Sequence, residues 1–575
     1  MEKKIIVFII FLISSIYITF PLIFHLGDYT TGLGDEMVIA WIQNWVIHAL
    51  TTNPLSLFNA NIYYPYENSL AFSDVFITSS ILSFPILKII NEPIAAVNFT
   101  FISSLTMLGF SIYLLCFYLT RNFLASILSG ILVVFSPAVL DKAVHLQILS
   151  IQWVPLSILF FIIFLKRYQT RYLMSSLAFF VLQTYNSFLP GYFIVLSYIV
   201  ILLFFLWNKK LDLKRLFSIK NGALFAITVI LIALIAIPYY KVSHQFNYTR
   251  DIRDAIHFAL QPEDFYYPSQ YTRLQQPLFA FSHLKKYPQN ASLKPGYIGA
   301  VFSILTLFTL FVFIKKIKRN DFLFNAFSTI SLLGLVLSLG PALHLERVTI
   351  HKPFPIILPY ALFYHIVPGF QGFRNSARWE MLFIIFVSVA VSMLLSKLLK
   401  KHKPETKTIL YILLIFLVVI EFNFPMKFVK VPQISEFPKV YSWLATTPEK
   451  SKIIELPIYN WNMWPGTQNE LLRQYYSTIH FRKMVNGYSG FSPPPWQALV
   501  TSILSEFPSD KSIENLRKIG ITYIIIHKDE YDFLNKSGFK VNNASILDGN
   551  AIIEQAESTE LKFIKKLDGT YIYGF

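Results

Sequence analysis

The sequence predicts a polytopic α-helical membrane protein of about 11 to 13 membrane helices, with a C-terminal α/β domain on the extracytoplasmic side. Three observations predict this fold class. Hydrophobic residues occupy 54% of the 575 positions and charged residues 14%, and the mean hydropathy is +0.50. Apolar runs long enough to cross a bilayer recur through residues 1–424. From residue 425 to 575 the composition is that of a globular domain.

The first apolar run, IIVFIIFLISSIYITFPLIF, follows the charged start MEKK. It is long enough to span the hydrocarbon core, and no A-x-A-like cleavage site follows it. We therefore expect a retained signal anchor with its N-terminus in the cytoplasm.

Basic clusters separate many of the later apolar runs, and they set the predicted orientation. Because Lys and Arg favour the cytoplasmic side, loops 25–93, 239–295 and 341–377 and the C-terminal domain are expected outside, in a multi-pass protein of the plasma membrane. The net charge of +17 is explained by this topology, so we expect the bilayer and no nucleic acid as a partner. The predicted spans after the first are 94–119, 122–136, 147–165, 171–188, 190–207, 221–238, 296–314, 322–340, 378–399 and 408–424.

The segment 74–90 is apolar enough to span, yet a complete crossing there would invert every later basic loop. Its short length and Pro85 favour an interfacial or re-entrant helix on the outer side. The alternative is that a short run such as 122–136 does not span.

The C-terminal domain alternates predicted strands and helices. KIIELPIY and ITYIIIHKDEYDFL read as strands, the second with a following turn, while LVTSILSEF and SIENLRKIG read as helices, with Ser512 capping the second. An aromatic and basic stretch lies between the two predicted strands, and its members include Arg473, Tyr475, Tyr476, His480 and Trp496. It could bind a glycan or a phosphate-rich polymer, or equally dock the domain onto the membrane part.

The first outer loop is acidic in a basic protein. Residues 25–74 contain no Lys or Arg, and they hold Asp28, Asp35, Glu36, Glu67 and Asp74. A loop acid is most often simply solvated. Here, however, Asp35 and Glu36 precede MVIAWIQNWVIHAL, whose spacing predicts an amphipathic interfacial helix that would hold the pair at the membrane surface. A carboxylate there could act as general base towards a hydroxyl attacking an electrophile on a membrane lipid.

An acidic pair just after the first span, followed by interfacial helices and a second acidic position, resembles the GT-C superfamily of integral-membrane glycosyltransferases. The stretches FSPAVLDKAVHLQILSIQWVPLSIL and LPYALFYHIVPGFQGFRNSARWEMLF also look like those of bacterial membrane proteins grouped with that superfamily. The Pro-Pro signature of the better-known branches is replaced by YPYENSLAFSD, so Glu67 and Asp74 both stay open as the second carboxylate.

The resemblance implies transfer of a hexose or pentose from a polyprenyl-phosphate-sugar donor to an envelope glycan, lipid or protein, usually with inversion. Asp35 then matches the general base and Glu36 its partner. Arg374 and Arg378 are placed to bind the donor phosphate in a forked geometry, or equally to anchor the interface. Asp141 and His145 are further candidates, because their side chains could face the substrate cavity of such an enzyme.

No motif predicts a cofactor or an obligatory metal site, and the single cysteine, Cys116, excludes an intrachain disulfide. Two other functions remain open. One is a transporter or flippase of lipid-linked glycans, and the other is a catalytically silent envelope membrane protein. Because the predicted spans carry almost no charge at mid-membrane, the enzyme is favoured over the transporter.

Overall fold

The computed structural model describes residues 2–266, 269–274, 296–315, 321–345, 348–349, 355–423, 425–460, 463, 466–541 and 544–575. The chain forms two compact units. The first, here called the helical unit, comprises 1–24, 100–235 and 248–427. The second, the mixed unit, comprises 25–99, 236–247 and 428–575. The sequence-based boundary at 424/425 stays a prediction of domain organisation, and parts of the predicted outer loops 239–295 and 341–377 lie outside the described residues.

An apolar helix occurs at every predicted span. Among the described residues, five helices are long and apolar enough to cross a membrane, namely Ala95–Thr120, Leu146–Arg167, Phe188–Trp207, Ile219–Phe246 and Ser376–Lys401. The chain is a multi-pass membrane protein, while its orientation stays a prediction. The principal helices of this part of the chain are Glu2–Ile18, Ala95–Thr120, Phe123–Val134, Trp153–Arg167, Thr170–Thr184, Phe188–Trp207, Ile219–Phe246, Ala300–Lys315, Phe322–Ser338, Glu380–Leu398 and Pro404–Glu421.

Small residues let the central helices of the helical unit approach closely. A Cβ at Gly334 would lie 2.6 Å from the backbone nitrogen of Phe383, so only glycine fits at this crossing. The Ser129 hydroxyl donates to the Ser388 carbonyl at 2.7 Å, which ties the Phe123–Val134 helix to the Glu380–Leu398 helix. Such packing is typical of helices in lipid, where small residues and interhelical hydrogen bonds replace the hydrophobic effect as the main source of association.

The mixed unit contains a five-stranded sheet, which confirms both predicted strands. The strand order is Lys562–Leu567, Thr570–Gly574, Tyr523–His527, Lys452–Leu456, Lys483–Met484. The first two pairings are antiparallel and the last two parallel. The flanking helices of this C-terminal region are Lys439–Thr446, Gly466–Tyr476, Pro494–Glu506, Asp510–Lys518, Lys528–Lys536 and Gly549–Glu557.

Two local expectations for this region were wrong. Ser512 does not cap the Asp510–Lys518 helix; the Ser509 hydroxyl accepts from the Ser512 backbone nitrogen, so the helix begins earlier than the apolar pattern indicates. The strand Tyr523–His527 leads into a helix, Lys528–Lys536, rather than a turn.

The helix predicted after the acidic pair is present, but it runs over Asp35–Thr52 and so includes the pair, and its surroundings differ from the expectation. Its first two turns are buried on nearly every side, so this part is covered by protein rather than lying with one face in lipid. Trp41 donates its indole N–H to the Asn61 side chain at 2.9 Å, and Trp45 donates to the Leu57 carbonyl at 2.8 Å. Both tryptophans thus fasten the helix to the loop that follows it.

The segment 74–90 forms a helix of 14 residues, Ile77–Ile90, which contains Pro85. At 1.5 Å per residue such a helix is about 21 Å long, shorter than a hydrocarbon core of roughly 30 Å. This length favours the interfacial or re-entrant interpretation, which stays a prediction.

Candidate active site

The two members of the acidic pair have different environments at the start of the Asp35–Thr52 helix. The Glu36 side chain turns inward and is 2% exposed. Its carboxylate accepts from the Thr31 hydroxyl at 2.7 Å and from the Gly34 backbone nitrogen at 3.3 Å. A Cβ at position 32 would lie 2.9 Å from Glu36 Oε1, so Gly32 leaves space for this carboxylate. Burial raises the pKa of Glu36, and the Thr31 hydrogen bond partly offsets the rise.

Asp35 is the first residue of the same helix and is partly exposed. A carboxylate at a helix N-terminus is stabilised by the unpaired backbone N–H groups and by the helix dipole. Asp35 is therefore the more exposed member of the pair, while Glu36 holds the preceding turn in place. The nearby Asp28 pairs with His25 at 3.1 Å, as expected for a loop acid without a special role.

The two candidates for the second carboxylate lie in different settings within the mixed unit. Glu67 is exposed and lines an open cavity together with residues of the Ile219–Phe246 helix. Asp74 is partly buried and follows Ser73, whose carbonyl accepts from the Tyr239 hydroxyl at 2.6 Å. The Asp74 charge lies within electrostatic range of Tyr239.

In the helical unit, Asp141 belongs to a buried group of charged residues. Its Oδ2 accepts from the Ser269 hydroxyl at 2.9 Å, and burial raises its pKa to about 6. The next residue, Lys142, donates to Glu380 Oε2 at 3.5 Å, with the Glu380 side chain fully buried. Glu380 Oε1 has no hydrogen-bond partner among the described residues. His145 lies in the same turn, and its backbone nitrogen donates to the Lys142 carbonyl at 2.8 Å.

The two predicted phosphate-binding arginines also lie in the helical unit. Arg374 is exposed, with its guanidinium 4.9 Å from the centre of the Phe258 ring. The Arg250 guanidinium lies 5.1 Å from the centre of the Tyr248 ring. Burial raises the pKa of Tyr248, and the charges of Arg250 and Arg374 partly offset the rise. Arg378 is half-buried and lies within electrostatic range of Tyr360.

Three residues of these groups were missed by sequence reasoning. Glu380 is the first residue of a long apolar helix. An acidic residue next to a membrane span is rare and often functional, so this signal was present in the sequence. Lys142 was visible only as a neighbour of Asp141. Arg250 gave no signal, because the effect that it shares with Arg374 on Tyr248 depends on the folding of two segments more than 100 residues apart in the chain.

The aromatic and basic stretch of the C-terminal region is mainly core. The Arg473 guanidinium bonds Glu470 at 2.8 Å and Glu530 at 2.9 Å, and its side chain is 3% exposed. Tyr475 and Trp496 are completely buried, and the Trp496 indole donates to the Val485 carbonyl. These side chains stabilise the mixed unit and do not present a glycan-binding surface. Among the described residues, no group of three or more His, Cys, Asp or Glu is arranged to hold a metal ion.

The model of a family described as a domain of unknown function (DUF6311) matches residues 35–422. None of the curated proteins compared with the chain matches it. Among solved structures, a mutant of the arabinofuranosyltransferase AftD from Mycobacteria aligns with a TM-score of 0.51 at 10% identity, over 100% of this chain and 41% of that one. The chain thus spans about two-fifths of that relative's length.

Two further solved structures align at lower scores. The oligosaccharyltransferase of Archaeoglobus fulgidus, tethered to an acceptor peptide, gives a TM-score of 0.48 at 11% identity, over 100% of this chain and 74% of that one. ArnT from Cupriavidus metallidurans gives 0.35 at 10% identity, over 100% of this chain and 98% of that one. At such identities a likeness concerns the fold alone.

Proposed function

We propose that this chain, which belongs to the family described as a domain of unknown function (DUF6311), is a glycosyltransferase with the GT-C fold. It moves a sugar from a polyprenyl-phosphate-linked donor to a glycan, lipid or protein acceptor of the cell envelope, on the outer face of the plasma membrane. In the reaction, Asp35 takes the proton of an acceptor hydroxyl, whose oxygen forms a bond to the anomeric carbon. The bond from that carbon to the phosphate oxygen breaks, and polyprenyl phosphate leaves.

The observation that carries this proposal is the division of roles within the acidic pair. Glu36 is occupied by Thr31 and Gly34, so its buried carboxylate fixes the turn that precedes the helix. Asp35 is partly exposed at the helix N-terminus, where a substrate hydroxyl could reach it. A positioned base beside a rigid partner is the arrangement that general-base catalysis requires.

Asp74 is the better second carboxylate of the two candidates. Its partial burial beside the Tyr239–Ser73 hydrogen bond gives it a fixed position, whereas Glu67 is exposed at a separate cavity. For the donor phosphate we propose Arg374, together with Arg250, because both guanidinium charges lie within electrostatic range of Tyr248. Arg378 is assigned a supporting position next to Tyr360. Asp141 and His145 are assigned to no chemical step.

The test compares Asp35→Asn with Asp28→Asn, a matched change in the same loop at an acid that pairs with His25. Cells carrying each variant are assayed for radiolabelled sugar transfer to envelope polymers, with protein levels measured in the membrane fraction. Loss of a general base costs about 10²- to 10⁴-fold in rate, so Asp35→Asn should abolish detectable transfer. Asp28→Asn should transfer sugar at the wild-type rate.

Retention of full transfer by Asp35→Asn would rule out Asp35 as the base. The transporter and silent-protein alternatives are tested with purified protein in liposomes that contain a polyprenyl-phosphate sugar and an acceptor. Transfer without translocation supports the enzyme. Translocation of the donor without sugar transfer contradicts the proposed enzyme activity, and so does the absence of both activities.

A further inference from the structure

A cavity of about 390 Å³ lies in the mixed unit beside the turn that carries Glu67. Its volume is at the lower end of the roughly 300–1,000 Å³ found for small-ligand sites. Four of the lining residues come from the end of the Ile219–Phe246 helix and share one of its faces, because they are spaced i, i+1, i+4 and i+5. The lining consists of Glu67, Asn68, Tyr240, Lys241, His244 and Gln245.

The two walls of this cavity are fixed to each other, so its shape is built into the fold. Just before the lining residues of the helix, the Tyr239 hydroxyl donates to the Ser73 carbonyl at 2.6 Å. Just after them, the Phe246 ring packs edge-on against Tyr66 at 6.0 Å and Phe72 at 6.3 Å. A pocket whose walls are already held in place loses little ordering entropy when a ligand binds.

The side chains at the cavity match the chemistry of a sugar. Carboxylate, amide, ammonium and imidazole groups supply donors and acceptors for several hydroxyls at once. The rings of Tyr240 and His244 lie 6.1 Å apart at an angle of 36°, and they offer a partly apolar surface for the C–H face of a pyranose or furanose ring.

The charges of the lining narrow the class of ligand. Lys241 and His244 alone would suit a phosphate group, but Glu67 in the same lining would repel a dianion. None of the described residues that line the cavity has an aliphatic hydrocarbon side chain, which disfavours an acyl chain as the ligand. A neutral or zwitterionic saccharide satisfies both conditions.

We propose that this cavity is a saccharide subsite that holds one or two sugar residues of the acceptor. The description of that sugar as the acceptor rests on the proposed glycosyltransferase function, whereas the binding itself does not. Glu67 then has a role in recognition rather than in the chemical step, which leaves Asp74 as the proposed second carboxylate.

Binding is tested on the full chain, purified and placed in nanodiscs, by saturation-transfer NMR with maltose, lactose, chitobiose and mannobiose as probes. The cavity variants are Tyr240→Ala and Glu67→Gln. Tyr240 is 70% exposed and Glu67 is also exposed, so both variants should fold. The matched control is Glu449→Gln, at an exposed acid of the same unit outside the cavity lining.

We expect at least one disaccharide to bind, and its affinity to fall about three- to tenfold in Tyr240→Ala, the loss of one aromatic contact. Glu67→Gln should weaken binding as well, and Glu449→Gln should not. Absence of binding by all four probes, wild-type affinity in both cavity variants, or displacement of the sugar by millimolar inorganic phosphate would overturn the proposal.

The same samples separate this proposal from the proposed function. Asp35→Asn should bind the disaccharide with unchanged affinity and fail to transfer sugar. If Asp35→Asn transfers sugar normally while the cavity variants lose binding, the catalytic assignment fails and the subsite stands. If Asp35→Asn loses transfer while the cavity variants bind normally, the subsite fails and the catalytic assignment stands.

Discussion

Removing the positive charge of Lys142 should destabilise the helical unit strongly, because it leaves the Glu380 carboxylate buried without its cation. The Lys142 and Glu380 side chains are 7% and 0% exposed, and their charged atoms lie 3.5 Å apart. At an effective dielectric constant of about 20, two unit charges at that distance attract by about 5 kcal/mol. Experience with buried ion pairs gives a cost of about 3–5 kcal/mol when one partner is removed.

The change is Lys142→Met, which preserves the length of the side chain and removes its charge. Stability is measured at pH 9 by thermal and urea unfolding of the purified protein in detergent, and Glu380→Gln and the double variant complete a double-mutant cycle. Lys142→Met alone should lower stability by about 3–5 kcal/mol. The double variant should recover most of this loss, because replacing both charges removes the unpaired carboxylate.

The Lys142→Ala variant serves as a control for lost packing, since it removes the same charge together with the side-chain stem. A cost below about 1 kcal/mol for Lys142→Met would show that Glu380 is not held as a buried anion. A double variant that is no more stable than Lys142→Met would refute the coupling of these two residues.

Three other predictions concern stability and use the same unfolding assay. Asp141→Asn should remove a pH dependence of the free energy of unfolding, because burial raises the pKa of Asp141 from 3.8 to about 6. The wild type should therefore lose up to about 3 kcal/mol of stability relative to the variant as the pH rises from 3.8 to 6. Equal pH profiles of the two proteins would contradict this. Gly130→Ala should cost about 1–3 kcal/mol, because its Cβ would lie 2.4 Å from the Phe11 ring, and a neutral effect would show that the helices can separate at no cost. Arg473→Met should lower the free energy of unfolding by about 3–5 kcal/mol, because it removes the buried guanidinium that pairs with Glu470. Wild-type stability of this variant would show that the ion cluster does not stabilise the core.

The sequence predicted the helices of the membrane part closely, because an apolar run must satisfy its backbone hydrogen bonds internally in lipid. The strands Lys452–Leu456 and Tyr523–His527 were equally visible as β-branched runs. The surroundings of the Asp35–Thr52 helix could not be predicted, because the spacing of its apolar residues fits a lipid interface and a protein interior alike.

The candidate site could be predicted only as far as local sequence reaches. The acidic pair was visible as two neighbouring carboxylates, but the inward turn of Glu36 depends on Thr31 and on the space left at Gly32. The Lys142–Glu380 pair joins residues 238 positions apart, and no periodicity reports such a contact. Long-range pairs of this kind are fixed by tertiary structure, which a single sequence does not display.

The hydrogen bonds of the loop that contains Asp35 have a consequence for how the protein matures during synthesis. The strand Tyr29–Thr30 pairs with Val429–Lys430, and the Asn61 side chain donates to Ser477, which is 416 positions later in the chain. At about 5–20 residues per second the ribosome needs roughly 20 to 80 s to make those partners. The Asp35 loop therefore cannot complete these contacts until residue 477 has been synthesised, and a prematurely terminated protein that keeps every membrane helix should still leave this loop unfinished.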